Sequence, residues 1–450
     1  MKICEDGQFE CSCQSKGTVL IVTIWVVLVL AGLTLVFARS TRVSAILSAN
    51  YSASLQAECV AEGARQYLVA QMETDEQAKV LTNATPYEAM PVGQGYFWVL
   101  RSNLEDDHQL DYGLTDEAGK INLNSASLEM LLKLPGMTAE LAASIIDWRD
   151  EDNELSPGGA ENEYYLLLPE AYNCKNAPLE TIEEILLIKG ASDELLYGED
   201  RNLNGILDEN ENDADASDPP DNRNSRLEGG FYDYVTVYSI EANVDGTGNK
   251  RININDVQNP ELATVLRQVV TSDRYFQIMD SIRTGRPFRN ILEFYFKAGL
   301  TAEEFKQLAD RLTTSDEPTV AGLVNVNTAS KEVLLCLPGL EESDVKALLT
   351  RRDTGEGLES IAWVAEVLDS DKAIAVGNYI TSRSFQYSAD IVSISGNGRA
   401  YKRYKAVIDA REGTPRILYW KSLTHLGWPL SGDVVEELRS GRPLTAAVGT

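Results

Sequence analysis

The stretch that decides the architecture is TVLIVTIWVVLVLAGLTLVFA, residues 18–38, which contains no charged side chain. About 20 apolar residues are enough for a helix to cross the hydrocarbon core of a bilayer. The cores of cleaved signal peptides are usually shorter, about 7–15 residues, and no small-residue cleavage site follows this run. The segment therefore predicts a retained membrane anchor, with everything after it held outside the cytoplasm.

The seventeen residues before this run are polar and end in Ser15-Lys16-Gly17. A short polar leader that closes on Lys-Gly resembles a prepilin-type leader, which is cut after the glycine. Cleavage after Gly17 would make Thr18 the first residue of the mature chain. The alternative is an ordinary single-span anchor with a short polar tail.

Composition excludes several classes of protein. The 450 residues carry 40 basic and 69 acidic side chains, a net charge of −29, which argues against a polyanionic partner. Three of the six cysteines (Cys4, Cys11, Cys13) would leave with the leader, and the remaining Cys59, Cys174 and Cys336 do not form a disulfide framework. The chain has only two histidines, so neither a zinc site nor a catalytic triad with a histidine base is expected.

Beyond the anchor, the pattern predicts an α+β protein. Apolar residues at helical spacing continue to about residue 76, so one helix of about 59 residues, roughly 88 Å long, is expected. Strand-like runs occur at 95–101, 109–115, 385–394, 400–409 and 416–421, which predicts an antiparallel sheet interrupted by a large helical insertion.

The helical insertion contains a repeat. INLNSAS at 121–127 precedes LPGMT at 134–138, and VNVNTAS at 324–330 precedes LPGLE at 337–341, with 13 residues from the first Asn to the Pro in both copies. A partial third copy combines ININ at 252–255 with AGLTA at 298–302. A short helix, a glycine turn and a second helix are expected in each, which is a helix-hairpin-helix unit.

The motif that carries chemistry is DRNLNGILDENE at 200–211, which matches a twelve-residue EF-hand-type loop. The spacing predicts Ca²⁺ as the cofactor. Its expected ligands are Asp200, Asn202, Asn204, the carbonyl of Ile206, Asp208 and Glu211. The alternative is an acidic surface loop that matches by chance.

Two further segments are candidate cation sites. NRNSRLE at 222–228 echoes the loop but has Ser225 where glycine belongs, so it is not expected to bind. Around the Gly158-Gly159 turn a second cation and a solvated acidic turn remain equal alternatives. The side chains concerned are Asp147, Asp150, Glu151, Asp152, Glu161 and Glu163.

The hairpins could in principle bind a DNA phosphate through their amides. The position of the second turn glycine is Thr138 in one copy and Glu341 in the other, and no basic cluster surrounds either turn. A scaffold or interaction surface is therefore the preferred interpretation, and no nucleic acid is expected as a partner.

Taken together, these segments resemble the K-type minor pseudopilins of type II secretion systems. The motifs that carry the resemblance are the Lys16-Gly17 leader, an apolar helix with Val22 where pilin-like subunits usually have Glu, YGLTDEAGKINLN at 112–124, GGAE at 158–161, NAPL at 176–179, YVTVY at 234–238 and RILYW at 416–420.

The resemblance implies a structural, non-enzymatic subunit at the tip of the periplasmic pseudopilus, spanning the inner membrane once and stabilised by calcium. Its implied partners are other minor pseudopilins, the pseudopilus and prepilin peptidase. The alternative is a membrane-anchored helix-hairpin-helix DNA receptor of the competence type, and an anchored hydrolase has no nucleophile–base set to support it.

The expected division of the chain follows from these segments. It is a leader (1–17), a span (18–38), a stalk (39–85), the first part of the sheet (86–118), a first helix-hairpin-helix domain (119–192), the calcium-loop segment (193–230), a connection (231–256), a second helical domain (257–383), C-terminal strands (384–430) and a tail (431–450).

Overall fold

The computed structural model describes residues 16–74, 87–214, 216–256, 258–442 and 444. The predicted leader lies outside these residues except for Lys16 and Gly17, which begin the first helix, α1 (Lys16–Thr74). At 59 residues, α1 has the length that the sequence predicts. Side chains from residue 18 to about 48 are exposed, whereas those facing the body from Ala53 onward, such as Ala57, Ala64 and Leu68, are buried.

Shorter helices and strands follow α1. The remaining helices are α2 (Leu128–Leu132), α3 (Ala139–Arg149), α4 (Asn162–Tyr165), α5 (Asp193–Tyr197), α6 (Pro260–Val269), α7 (Ser272–Gly285), α8 (Ile291–Ala298), α9 (Ala302–Leu308), α10 (Lys331–Cys336), α11 (Glu342–Arg352), α12 (Val364–Val367), α13 (Ser370–Val376) and α14 (Gly432–Arg439). The strands are β1 (Met90–Val92), β2 (Gly95–Ser102), β3 (Leu110–Tyr112), β4 (Thr115–Asp116), β5 (Ile121–Asn122), β6 (Val235–Thr236), β7 (Ile240–Ala242), β8 (Ile252–Asn253), β9 (Leu312–Thr313), β10 (Thr319–Ala321), β11 (Val324–Asn325), β12 (Ile380–Thr381), β13 (Gln386–Ile394), β14 (Tyr401–Asp409) and β15 (Arg416–Ser422).

The main sheet is antiparallel and supports α1. Its order is β1-β2-β13-β14-β15, with β3 beside β2 and β4 beside β13. Val60, Ala64 and Leu68 of α1 pack on one face with Phe97 and Ile391. On this side the Ser393 hydroxyl also donates to the Ala57 carbonyl at 2.9 Å. The helix is thus fixed to the sheet along its C-terminal part only.

The opposite face of the sheet is covered by the end of the chain. Trp98, Val392 and Ile394 pack there with Leu438 of α14. Trp428 meets the Trp98 ring edge-on, with the ring centroids 6.2 Å apart. The sequence pattern indicates no element in the tail at 431–450, and α14 is therefore a feature that it misses.

Residues 117–385 lie between β4 and β13 and form the predicted insertion. Each of its three Asn-containing motifs starts with a two-residue strand, and this strand pairs in parallel with a second two-residue strand later in the chain. The pairs are β5 with β6, β8 with β9, and β11 with β12. The insertion is therefore built from three similar modules, the partial copy at 252–255 included.

A side-chain clamp recurs in these modules. The Asn124 amide donates to the Leu179 carbonyl at 2.9 Å and accepts from the Leu179 N–H at 2.7 Å. Asn255 makes the same pair of bonds to Phe288, at 3.0 and 2.9 Å. In the third module Asn327 donates to the Leu358 carbonyl at 2.9 Å. The second Asn of each motif thus fastens a distant loop to the start of its module.

The helix pairs follow the expected order. Ser127 caps α2 and Ser330 caps α10, each by accepting a backbone N–H with its side chain. Gly136 (φ 68°) and Gly339 (φ 76°) take the left-handed conformation between the two helices of each pair. Residues with side chains would be strained at these two turns.

Candidate metal centre

The twelve-residue loop follows α5 and ends in a 3₁₀ turn at Glu209–Glu211. Gly205 at its sixth position has φ 71°, and a Cβ there would stand 2.8 Å from the Ser102 Cβ in β2. Both the backbone conformation and the close approach to the sheet therefore require glycine. Asp200, Asn204 and Glu211 are buried although they are polar.

The predicted ligands are brought together by hydrogen bonds. The Asp200 carboxylate accepts from the N–H groups of Asn204 (3.0 Å) and Gly205 (2.8 Å). The amides of Asn202 and Asn204 both donate to one oxygen of Asp208, at 2.6 and 3.0 Å.

Glu211 is linked to the same group of oxygen ligands. Its two carboxylate oxygens accept from the N–H groups of Arg201 (3.3 Å) and Asp208 (3.0 Å). The side chain at position 12 is therefore folded back on the loop, as a bidentate calcium ligand would be. Ile206 lies in the same turn, with its N–H donated to the Asn204 side-chain oxygen at 2.8 Å.

The charges of this centre are poorly compensated. Burial, reinforced by Asp233, raises the pKa of Asp200 to about 7. Burial, together with Asp200 and Asp208, raises the pKa of Glu211 to about 8. Within the described residues, no lysine or arginine forms an ion pair with Asp200, Asp208 or Glu211. An oxygen-only donor set with surplus negative charge fits a hard divalent cation such as Ca²⁺.

Arg403 of β14 connects this loop to the main sheet. Its guanidinium, which is fully buried, donates to the backbone carbonyls of Asn202 (2.5 Å) and Leu203 (2.6 Å). The same group pairs with Asp390 of β13 at 2.6 Å. The sequence does not reveal this anchor, because a charged residue inside a strand does not show which distant carbonyls it reaches.

Further contacts hold the loop against the β2–β3 turn. Leu207 donates its N–H to the Asp107 carbonyl at 2.9 Å. The Asn204 amide also reaches the Pro429 carbonyl at 3.4 Å, near the end of the chain. The candidate centre therefore lies where the helical insertion meets the sheet.

The echo at 222–228 adopts a similar turn. Asn222 and Asn224 both donate to Glu228, at 2.9 and 2.8 Å, and Ser225 has φ 61°. The position that corresponds to Asp200 is Pro220, so the first ligand is missing. The expectation that this segment binds no cation stays a prediction.

Of the six acidic residues around the Gly158-Gly159 turn, three form a cluster and the other three do not belong to it. Carboxylate oxygens of Asp150, Asp152 and Glu161 lie within 4.8 Å of one another. Asp147 is buried beside Ser156, whose N–H it accepts at 3.2 Å. Glu151 and Glu163 are exposed and lie outside the cluster.

Two segments of the chain match family models for protein K of the type II secretion system, at residues 109–197 and 324–377. They contain the first and third Asn motifs with their helix pairs. No curated protein matches the chain in sequence.

Among solved structures, the chain is similar to one in the crystal structure of the GspK-GspI-GspJ complex from the type 2 secretion system of enterotoxigenic Escherichia coli. The match covers 85% of this chain and 98% of that chain, at 13% identity and a TM-score of 0.40. That level of similarity is too low to carry an argument about fold or partners.

A long apolar N-terminal helix, an antiparallel sheet and a modular helical insertion define an anchored pilin-like subunit. The two family matches confirm the expected resemblance to the K proteins of type II secretion systems, which are minor pseudopilins. In the described part of the chain, α1 is the one helix long and apolar enough to cross a membrane, which makes the protein a single-pass, membrane-anchored subunit.

Proposed function

We propose that this minor pseudopilin is a calcium-stabilised structural component of the pseudopilus tip and assists protein export without catalysing a reaction. The observation that carries the proposal is the division of α1. Its first half is apolar and exposed along its length, and its second half is packed on the sheet. Such a helix suits a subunit whose anchor packs among neighbouring anchors while its body stands outside the membrane.

Val22 supports a position at the tip. It stands where pilin-like subunits usually carry the Glu that neutralises the α-amine of the adjacent subunit, and its side chain is exposed on α1. An uncompensated charge inside an apolar bundle is costly. A subunit with nothing above it has no amine to neutralise, so valine is acceptable there.

The remaining parts of the proposal follow from the same arrangement. The body lies in the periplasm, the anchor lies in the inner membrane, and prepilin peptidase cuts between Gly17 and Thr18. Other minor pseudopilins contact the chain within the pseudopilus. The two segments that match protein K of type II secretion systems support partners of this kind.

Calcium in the loop would stabilise the junction between insertion and sheet. The ion would neutralise Asp200, Asp208 and Glu211, while Arg403 holds the carbonyls of the same loop on β14. The body would then behave as one rigid unit at the end of the filament. The residues present fit this role because hydrogen bonds within the loop link all five predicted side-chain ligands.

Binding of DNA at the hairpins is not favoured. Glu341 caps α11, and Asp344 bonds back to the Glu341 N–H at 2.9 Å, so carboxylates occupy the end that would bind a phosphate. We expect no DNA mobility shift at about 150 mM salt. A shift at that concentration which weakens as salt is raised would support the DNA-receptor alternative.

The tip position can be tested by Val22→Glu in the secreting host, with cysteine crosslinking of neighbouring subunits as the measurement. The substitution should move the subunit from the tip to internal positions of the filament. Val26→Glu, one turn further along the exposed helix, controls for the cost of a charge in the anchor. Unchanged tip crosslinks for Val22→Glu would contradict the proposal.

A further inference from the structure

A cavity of about 770 Å³ lies between the main sheet and the third module. Strands β2, β4, β13 and β14 contribute to its wall from the sheet, and the third Asn motif and the end of α11 contribute from the insertion. Cavities of this size hold ligands larger than a single ion or water molecule. The side chains that line it indicate which chemistry such a ligand must have.

Lys405 of β14 lines this cavity with an ammonium group that has no partner. The side chain is mostly buried, yet among the residues that the structure describes its Nζ forms neither a hydrogen bond nor an ion pair. Burial, together with the neighbouring Lys120, lowers the pKa of Lys405. An ammonium that has left water without a counter-charge costs free energy unless an anion compensates it.

The carboxylates nearest to Lys405 are engaged by other cations. Asp390 lies directly opposite on β13, but it accepts from the Arg403 guanidinium at 2.6 and 2.9 Å. Glu117 pairs with Lys120 at 3.1 Å. The positive charge of Lys405 is thus left for a group from outside the chain.

The third module offers a second donor to the same cavity. In the first module Arg149, at the end of α3, donates to the carbonyls of both Leu123 and Ala126. Arg352 holds the equivalent place at the end of α11, but within the described ranges it donates to one carbonyl, that of Ala329 at 2.6 Å, and pairs with no carboxylate. Its guanidinium lines the cavity, and burial lowers its pKa. Donors that Arg149 spends on its own module are therefore free on Arg352.

The rest of the wall restricts the anions that fit. Leu104, Leu114 and Leu349 line the cavity, so part of the ligand must be apolar. Asp233 also lines it and lies beyond ion-pair distance from Lys405. A dianion such as phosphate would be repelled by this carboxylate more strongly than a single negative charge. The wall therefore favours one carboxylate on an apolar body.

We propose that this cavity binds a peptide segment of another protein in which a carboxylate stands between apolar side chains. Lys405 would neutralise the carboxylate, and Arg352 would donate to the same group or to a neighbouring carbonyl. The leucines of the wall would contact the rest of the peptide. The bound segment would then join the sheet to the third module from within the cavity.

Isothermal calorimetry on the full-length protein in detergent micelles tests the proposal with three probes. Acetyl-Leu-Glu-Leu-amide carries the carboxylate, acetyl-Leu-Gln-Leu-amide is its neutral match, and hexanoate is a free acid with an apolar tail. The charged peptide should bind at least about tenfold more tightly than the neutral one, because a hydrogen bond to a charged group contributes that much. Equal affinity for the two peptides would overturn the proposal. Tighter binding of hexanoate than of the charged peptide would overturn the peptide segment as the ligand.

Two variants locate the binding site. Lys405→Met should weaken binding of the charged peptide by at least about tenfold. Lys402→Met removes the same charge from the same strand, but Lys402 lies outside the cavity and pairs with Glu58 of α1 at 3.7 Å, so this variant should bind like the wild type. It also controls for uptake of the probes by detergent. Unchanged affinity in Lys405→Met would show that the cavity is not the site.

Thermal melting checks that Lys405→Met is folded. Without a probe the variant should melt at or above the wild-type temperature, because it removes an uncompensated charge. The charged peptide should raise the melting temperature of the wild type and of Lys402→Met, but not that of Lys405→Met. A large loss of melting temperature without a probe would show that Lys405 is already compensated within the fold and would overturn the proposal. The comparison of the two peptides on the wild type tests charge recognition without any variant.

Discussion

Glu211→Gln is the substitution that most sharply tests calcium binding in the loop at 200–211. Glu211 is almost completely buried, and both of its oxygens accept backbone N–H groups from the same loop. Glutamine keeps the size of the side chain but removes its charge. The variant should therefore weaken calcium binding while leaving the metal-free fold intact.

The pKa of Glu211 indicates how much the substitution should change the free energy of unfolding. The pKa of Glu211 is raised from 4.5 to about 8 without an ion. At 1.36 kcal/mol per tenfold change, a rise of the pKa from 4.5 to about 8 lowers the free energy of unfolding at pH 7.5 by at most about 4 kcal/mol. Glutamine avoids this cost, but its NH₂ group faces one of the two N–H groups that the carboxylate accepts, which costs about 1–3 kcal/mol. The free energy of unfolding in chelator should therefore be no lower than that of the wild type.

Calcium acts in the opposite direction. An ion present at about 100 times its Kd stabilises the folded state by about 2.7 kcal/mol. For a cooperative unit of 150–250 residues, each kcal/mol moves Tm by about 2–4 °C. The wild type should thus gain about 5–10 °C from this site, and Glu211→Gln should lose that gain.

The assay is a pair of melting curves for each full-length protein in detergent, one in EGTA and one in 1 mM CaCl₂. Glu209→Gln is the matched control, since Glu209 is exposed two residues earlier and its loss changes the net charge equally. The reasoning is refuted if Glu211→Gln and the wild type show the same calcium-dependent gain in Tm.

Three further outcomes are expected. In chelator, the free energy of unfolding should fall as pH rises from about 4 to 7. The reason is that burial raises the pKa of Asp200 from 3.8 to about 7, so the unfolded chain loses this proton first. Urea unfolding at several pH values should show this slope, and added calcium should reduce it. Arg403→Met should lower the free energy of unfolding by about 3–5 kcal/mol, because it leaves Asp390 buried and unpaired. A loss below about 1 kcal/mol in urea unfolding would show that Arg403 does not anchor the loop to the sheet. Asn255→Ala should lower the free energy of unfolding by about 1–3 kcal/mol, because it leaves the backbone N–H and carbonyl of Phe288 without their partner. Hydrogen exchange of the Phe288 amide should become faster, and unchanged exchange there would contradict the clamp.

Much of the fold follows from local patterns in the sequence. The length of α1 follows from uninterrupted helical spacing, and β2, β13, β14 and β15 begin and end within about two residues of the predicted runs. The glycine turns at Gly136 and Gly339 follow from the need for a positive φ between the paired helices. Each of these features depends on residues close together in the chain.

The features that the sequence does not disclose depend on distant residues. Asn124 meets Leu179 across 55 positions, and Arg403 reaches Asn202 across 201. The strands that return to each module, such as β6 and β12, have two residues each, too few to show a periodic pattern. The ligand spacing of the loop is visible in the sequence, but its anchoring to the sheet is not.

Native mass spectrometry of the protein extracted from its own membrane tests the central claim most directly. The account predicts a mature chain that begins at Thr18 and carries calcium that a chelator removes. A chain that begins at Met1, or one whose mass is the same before and after chelation, would contradict it.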